Sequence, residues 1–297
     1  MISMNNKKIF SPFFEIKNNE LLYLGRKKVC NLSTDKIVNE YLLKNEGVLF
    51  DKCINNKKNM NVLVLEPHSD DFALSVLGYT LNECNVIVLN VFSKTNLEYF
   101  TWKDYISISD LEYEKIRLEE SNFVVEELLN QKFVSMKEKS TRISNEPINN
   151  VKDRIKREIQ SYLENNSIDA LFVPMGIGNH PDHLIVFDVV LDMLDELKKY
   201  KIFLYPEYPY ARCRKSYNER LNYILKKFSI IPVIKSVSNK LDIIVDCISA
   251  FKSQFDDINR NQMLSIVRED CRALATEYET DDLIMVYFEI GGKKYEN

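Results

Sequence analysis

From Met60 onward the chain alternates short β-branched and aliphatic runs with longer stretches of helical period, and that alternation leaves few architectures open. Asn61–Leu65, Asn85–Phe92, Ile168–Pro174 and Ile202–Tyr205 are apolar runs bounded by polar residues, which predicts strands buried on both faces. Phe72–Leu81, Leu111–Leu129, Val151–Leu163 and Leu184–Leu197 lie between them and read as helices. Strand–helix–strand units place parallel strands in one sheet covered by helices on both faces, with functional groups gathering at the carboxyl ends of the strands. The expected fold class is α/β with a mostly parallel sheet.

The first section lacks this rhythm and ends in the polar junction Asn55-Asn56-Lys57-Lys58-Asn59. We expect residues 1–58 to form a small N-terminal extension of unassigned fold and 59–297 the main domain. Within the extension, Ser33-Thr34-Asp35 followed by Ile37, Val38, Tyr41 and Leu42 predicts a capped helix. Lys and Arg number 40 against 44 Asp and Glu, a net charge of -4, and the Lys-Lys pairs are scattered among acids. A nucleic-acid partner is therefore not expected, since phosphate neutralisation needs basic residues clustered on one face. Six cysteines lie far apart without a CxxC pair, which points to a reducing compartment. No apolar run reaches the ~18 residues of a membrane span, so the expectation is a cytoplasmic protein with no transmembrane segment.

The chemistry concentrates in two turns. Strand Asn61–Leu65 runs into Glu66-Pro67-His68-Ser69-Asp70-Asp71, and strand Leu171–Pro174 leads through Met175–Asn179 into His180-Pro181-Asp182-His183. The chain has 3 histidines, and all of them fall in these turns. Taken singly, each Asp is explained by helix capping and each His by packing. Capping does not explain why every imidazole accompanies an Asp-bearing turn at one sheet edge. His68, Asp71 and His183 supply the three protein ligands of an open catalytic metal site, suited to zinc and also to iron(II). Asp70 is then the general base for a water acidified by the ion, His180 a donor to the developing oxyanion, and Asp182 a group that orients His180. Gly176-Ile177-Gly178 is not a dinucleotide fingerprint, because Pro181 stands where the third Gly is needed. The two glycines more simply let the backbone turn closely beneath the metal site.

Pro67-His68-Ser69-Asp70-Asp71 and His180-Pro181-Asp182-His183 resemble the paired (A/P)HxDD and HxDH signatures of the LmbE-like, or PIG-L, N-deacetylases. Ala73-Leu74-Ser75, Arg117 with Glu120, Val173-Pro174-Met175-Gly176, Tyr205–Tyr210, and Lys240-Leu241 with Ser253-Gln254 extend the similarity over Met60 to Gln254. The resemblance implies a Rossmann-like three-layer sandwich, with His68, Asp71 and His183 as zinc ligands and Asp70 as general base. It implies removal of the acetyl group from an N-acetylamino sugar or sugar conjugate, a small-molecule substrate. Two departures bear on the pocket: Phe72 stands where many members carry Glu, which predicts an apolar surface beside the site, and Pro206-Glu207 replaces the Glu-Asp of the family's YEDLPY segment. Glu207, Tyr208 and Arg117 are expected near the substrate or just behind the ligands, although Arg117 and Glu120, at i and i+3, also suit a surface ion pair. Tyr210 suits a stacking role and Trp102 a lid. Two further readings are an amide hydrolase acting on a non-sugar metabolite or peptide, and a metal-containing binding protein without catalysis. Asp70 counts against the second, since a site that only binds has no need of a base.

Overall fold

The structure is a computed structural model; it describes residues 60–94, 109–255, 258–275, 278 and 280–293, together with four short strands of the first section. Those strands, β1 (Lys8–Ile9), β2 (Phe14–Lys17), β3 (Glu20–Tyr23) and β4 (Lys27–Asn31), form an antiparallel sheet in that order. The helix expected after Ser33 and the lid residue Trp102 lie outside the described residues.

The main sheet has seven strands: β5 (Met60–Glu66), β6 (Cys84–Lys94), β7 (Lys132–Lys139), β8 (Ala170–Pro174), β9 (Lys201–Tyr205), β10 (Phe228–Ser236) and β11 (Ile284–Lys293). Their spatial order is β10-β11-β9-β8-β5-β6-β7. β9 to β7 are mutually parallel, while β11 runs antiparallel to both β9 and β10. In chain order the five parallel strands read fifth, fourth, first, second, third, the doubly wound order that reverses direction between β5 and β8. At such a switch point the connections leave on opposite faces and open a crevice at the carboxyl ends.

Helices cover both faces. On one side Val62, Val64 and Phe172 pack with α1, a π-type turn Phe72–Val76 continued by Leu77–Thr80, with α2 (Asp110–Asn122), and with α6 (Leu241–Ser249) and α7 (Arg260–Ala275). On the other, Leu63, Leu65 and Leu171 pack with α3 (Ile148–Asn165), α4 (Pro181–Asp192) and α5 (Arg214–Lys227). The result is a three-layer α/β sandwich, as the alternation of periods implies. Val151, Ile155 and Ile159 on α3 show the cause: spaced by four, they share one buried stripe, and full burial of such a side chain contributes about 1.5–3 kcal/mol.

The expected elements are present with small shifts in their ends. α2 begins one residue earlier than expected because Ser109 caps it, accepting from Glu112 N–H while the Glu112 carboxylate accepts from Ser109 N–H. Beyond Asn122 it continues as a π-type turn, Phe123–Leu128. α4 starts at Pro181, in the first turn, and ends at Asp192 rather than Leu197. No helix among the described residues is long and apolar enough to cross a membrane.

Candidate active site

The crevice at the switch point is built by the two turns. After β5 the chain bends sharply: Asp70 N–H and Asp71 N–H both donate to His68 O, at 2.8 and 3.2 Å, and His68 N–H donates to Asp71 Oδ2 at 2.8 Å. After β8, Gly176 and Gly178 adopt φ of +81° and +75°, conformations open to glycine at little cost, and they aim His180 and α4 back toward β5. The separation of 115 positions between His68 and His183 is thereby closed to a contact of 3.1 Å between His68 Nδ1 and His183 Nε2.

Three donor atoms face one point. His183 Nε2 lies 3.4 Å from Asp71 Oδ2, and His68 Nδ1 lies 3.9 Å from the same oxygen. With the 3.1 Å imidazole contact, these edges bracket the roughly 3.3 Å ligand separation that follows from tetrahedral zinc bonds of about 2.0–2.1 Å. The outer ring nitrogens are fixed as well. His68 Nε2 pairs with Asp182 Oδ2 at 3.0 Å, and His183 Nδ1 with Glu207 Oε1 at 3.1 Å. Each carboxylate selects the tautomer that turns a lone pair inward, the arrangement that orients histidine ligands at metal centres. The donor set therefore fits a zinc-type ion held by His68, Asp71 and His183. A second grouping, the three imidazoles alone, also brings ligand atoms within 4.8 Å of one another. We favour Asp71 over His180 as the third donor because His180 Nδ1 is engaged with the Asp182 N–H, at 3.3 Å, as the N-cap of α4.

His180 remains beside the cluster, its ring centroid 4.7 Å from that of His68 and 5.1 Å from that of His183. Burial, then the neighbouring imidazoles, lower its pKa to about 3, so it is neutral. With Nδ1 accepting, its proton sits on Nε2, leaving a donor beside the ion site.

Asp70 stands apart from the three donors. Burial raises its pKa, and the Arg117 guanidinium, 3.6 Å from Oδ1, opposes that shift. Arg117 is itself only 3% exposed. The alternative of a surface pair between Arg117 and Glu120 is thus corrected: both are buried, Arg117 turns to Asp70, and Glu120 accepts from Ser253 N–H at 2.8 Å and from the Ser253 hydroxyl. Two residues on one face of α2 secure the catalytic turn and the segment after α6. Ser253-Gln254 lie in that segment, beyond the end of α6.

Two other expectations are revised. The Asp182 carboxylate does not orient His180; it accepts from His68, from Ser140 Oγ at 2.7 Å, and from Thr141 N and Oγ1 at 2.8 and 2.5 Å. Burial works against its charge, but the bonds from His68 and Thr141 hold its pKa well below the usual range. Phe72 presents no apolar surface to the cavity. It is 1% exposed in the core beneath, because the π-type turn rotates it toward β5, and its N–H donates to Glu66 Oε1 at 3.1 Å. Of the two places expected for Glu207, the structure has the one behind the ligands: fully buried, it accepts from Gly176 N–H and Ile177 N–H as well as from His183.

Glu66 escaped sequence reasoning. It is 1% exposed under the turn, and burial, then the charge of Asp71, push its pKa well up. The signal in the sequence is an acidic residue closing the apolar run Val62–Leu65.

A cavity of about 380 Å³ opens over the cluster, lined by His68, Asp70, Asp71, His180 and His183, with Arg117, Arg142, Tyr208, Tyr210, Gln254 and Phe255 among its walls. Tyr210 stands edge-on to His183, with centroids 5.9 Å apart. Tyr208 reaches the same wall, with its N–H on Ser75 Oγ at 3.2 Å.

No curated protein matches the chain in sequence. Residues 63–194 match the PIG-L family model, described as GlcNAc-PI de-N-acetylase. The zinc-inhibited form of the teicoplanin deacetylase Orf2 is similar in structure, with a TM-score of 0.62 at 16% identity over 80% of this chain and 100% of that one. So is the N,N'-diacetylchitobiose deacetylase of Pyrococcus horikoshii, with a TM-score of 0.51 at 17% identity over 76% and 83%. The 4-carboxy-2-hydroxymuconate hydratase of Pseudomonas putida has a TM-score of 0.55 at 10% identity over 80% and 99%, so the fold by itself does not name a reaction. Both motifs and both ends of the switch point fall inside the matched stretch, and the chain carries a PIG-L, or LmbE-like, family domain recognisable over residues 63–194.

Proposed function

We propose that the protein is a metal-dependent N-deacetylase that hydrolyses the acetamide of an N-acetylamino sugar or sugar conjugate. The observation that carries this reading is the division of labour between adjacent carboxylates: Asp71 joins the two imidazoles around one point, while Asp70 is held aside by Arg117 and faces the cavity. His68 Nδ1, His183 Nε2 and Asp71 Oδ2 would hold the ion. A zinc-type ion supplies Lewis acidity there, polarising a carbonyl and acidifying water.

The chain's own groups supply the rest. Asp70 takes the proton of the attacking water and returns it to the departing amine, and Arg117 keeps its carboxylate charged and aimed into the cavity. His180, neutral with Nε2–H, donates to the carbonyl oxygen as it gains charge. Asp182 and Glu207 keep the two ligand rings in the correct tautomer. Tyr210 provides an aromatic face for the sugar ring.

Support for the sugar assignment comes from the family model, described as GlcNAc-PI de-N-acetylase, and from the N,N'-diacetylchitobiose deacetylase among the structural neighbours. A non-sugar acyl amide is the alternative, and a hydration reaction is the one raised by the hydratase neighbour.

The test is acetate release from a panel of N-acetyl sugars and acyl amides by the metal-loaded protein, with the metal identified by elemental analysis as zinc or iron. Asp70→Asn should lower acetate release by roughly 10²–10⁴-fold while retaining metal, the range for loss of a general base. Normal turnover in that variant would refute the assigned mechanism.

A further inference from the structure

One half-buried cation has no place in the deacetylation chemistry. Arg220 lies on α5, but its head is turned inward beneath the second motif. Its Nε–H donates to Met175 O, the carbonyl just before the left-handed Gly176. Its guanidinium carbon stands 4.2 Å from the centroid of the Phe187 ring and 4.7 Å from that of Tyr223. It also presses on the turn itself, since a Cβ at Gly176 would lie 3.1 Å from its Nη2. That nitrogen is buried without an acceptor. Burial lowers the pKa of the group, opposed by Tyr223 and then by the charges of Glu207 and Asp188.

These contacts bracket the motif. Met175 precedes His180-Pro181-Asp182-His183, and Phe187 follows it, one helical turn beyond His183 on the same face of α4. One side chain therefore holds both ends of the stretch that carries His180, Asp182 and His183, and ties it to α5. The Met175–Gly176 peptide is shared as well: its carbonyl accepts from Arg220, and its N–H donates to Glu207 Oε1. Glu207 in turn pairs with His183 Nδ1 at 3.1 Å. A cation at one end of a peptide group and an anion at the other polarise it in the same sense, so each bond strengthens the other. Packing alone does not call for this charge. An apolar side chain would fill the space between Phe187 and Tyr223 and leave no donor orphaned, but it could not hold the Met175 carbonyl.

We propose that Arg220 is a positioning residue for the ion site: it clamps the turn before the second motif to the helix after it and, through the Met175–Gly176 peptide and Glu207, fixes the ring of His183. The proposal rests on His183 being an ion ligand. It reaches the reaction only through that ring, since Arg220 is not one of the residues lining the cavity.

Two measurements on the full-length protein test it: hydrogen exchange by mass spectrometry without metal, and zinc affinity by chelator competition. In Arg220→Met, which keeps the apolar stem, peptides spanning Met175 to Phe187 should exchange roughly tenfold faster than in the parent, while those from β5 and β6 keep their rates. Zinc affinity should fall roughly tenfold, the low end for a histidine ligand whose outer support is disturbed. Arg220→Lys should recover only part of either property, because an ammonium cannot bond the carbonyl and lie between two rings as a planar guanidinium does. Phe187→Leu should weaken zinc binding in the parent background and add little in Arg220→Met. Exchange that quickens uniformly across the sheet would make Arg220 a packing residue and overturn the proposal. So would zinc affinity in Arg220→Met within a factor of two of the parent. Acetate is measured in the same samples: zinc affinity that depends on Arg220, with no acetate released from any amide, refutes the deacetylase reading and leaves the clamp standing. Acetate release with zinc affinity indifferent to Arg220 does the reverse.

Discussion

Glu207 is the most informative residue to perturb, because it contacts a presumed ligand without touching the cavity. Its carboxylate is fully buried and accepts from His183 Nδ1 at 3.1 Å, from Gly176 N–H at 2.5 Å and from Ile177 N–H at 3.3 Å. A buried donor left without an acceptor costs about 1–3 kcal/mol. Glu207→Ala strands three, so about 3 kcal/mol or more of stability should be lost, together with roughly 10–100-fold in metal affinity as His183 loses its orienting carboxylate. Glu207→Gln is the sharper variant. Its oxygen can serve Gly176 and His183, but its amide nitrogen then meets the Ile177 N–H donor to donor, so the loss should be near that of a single bond, about 1–3 kcal/mol. Urea unfolding of the metal-depleted protein reads the first quantity, and zinc competition against a chromogenic chelator reads the second. If both variants bound zinc within a factor of two of the parent, His183 would not depend on Glu207, and the assignment of His183 as a ligand would fall with that dependence.

Glu120 makes a prediction in pH. Burial, against the opposing bonds from Ser253, raises its pKa from 4.5 to about 8, so between those values the folded protein holds a proton that the unfolded chain releases. Its stabilising contribution is full below about pH 4.5 and is lost as pH rises through about 8, an effect of a few kcal/mol. Glu120→Gln keeps a partner for both Ser253 groups and cannot ionise; it should match the parent near pH 5 and exceed it above pH 8 in urea unfolding, and parallel pH profiles would refute the assignment. Gly178→Ala should cost about 1–2 kcal/mol, because φ is +75° and the new Cβ would lie 3.3 Å from Tyr210 Cδ1. A melting temperature equal to the parent's, with Tyr210 unmoved in a crystal structure, would contradict that estimate.

Much of this architecture is written in local pattern. Short continuous apolar runs forecast β5, β6, β8 and β9, helical apolar spacing forecasts the helices between them, and three histidines in two turns forecast the cluster. Of the three strands that escaped, β11 is a buried apolar run, Ile284–Phe288, that the pattern did carry, whereas in β7 and β10 pattern and burial part company. β7 carries Lys132, Lys137, Glu138 and Lys139 on a half-exposed edge, a composition that protects an edge and hides a strand. β10 is interrupted by Pro232, tolerated because that strand is also an edge. The site's supports were illegible for another reason. Glu207 meets His183 only because β9 lies beside β8, and no spacing rule relates an acid to a histidine 24 residues earlier. Phe72 follows the catalytic pair in sequence, but a single helical step turns it from the cavity to the core.

The strands beyond β8 set where this protein can be cut. The recognisable stretch stops at 194, short of β9, the strand that satisfies the backbone of β8, and of the acid behind His183. A fragment excised by sequence similarity would carry both motifs yet present an open strand edge, prone to sticking to its neighbours. Since β11 pairs with β9, and β10 with β11, the smallest self-sufficient piece extends through Lys293. Homology marks the chemistry here, and hydrogen bonding marks the unit that can be handled alone.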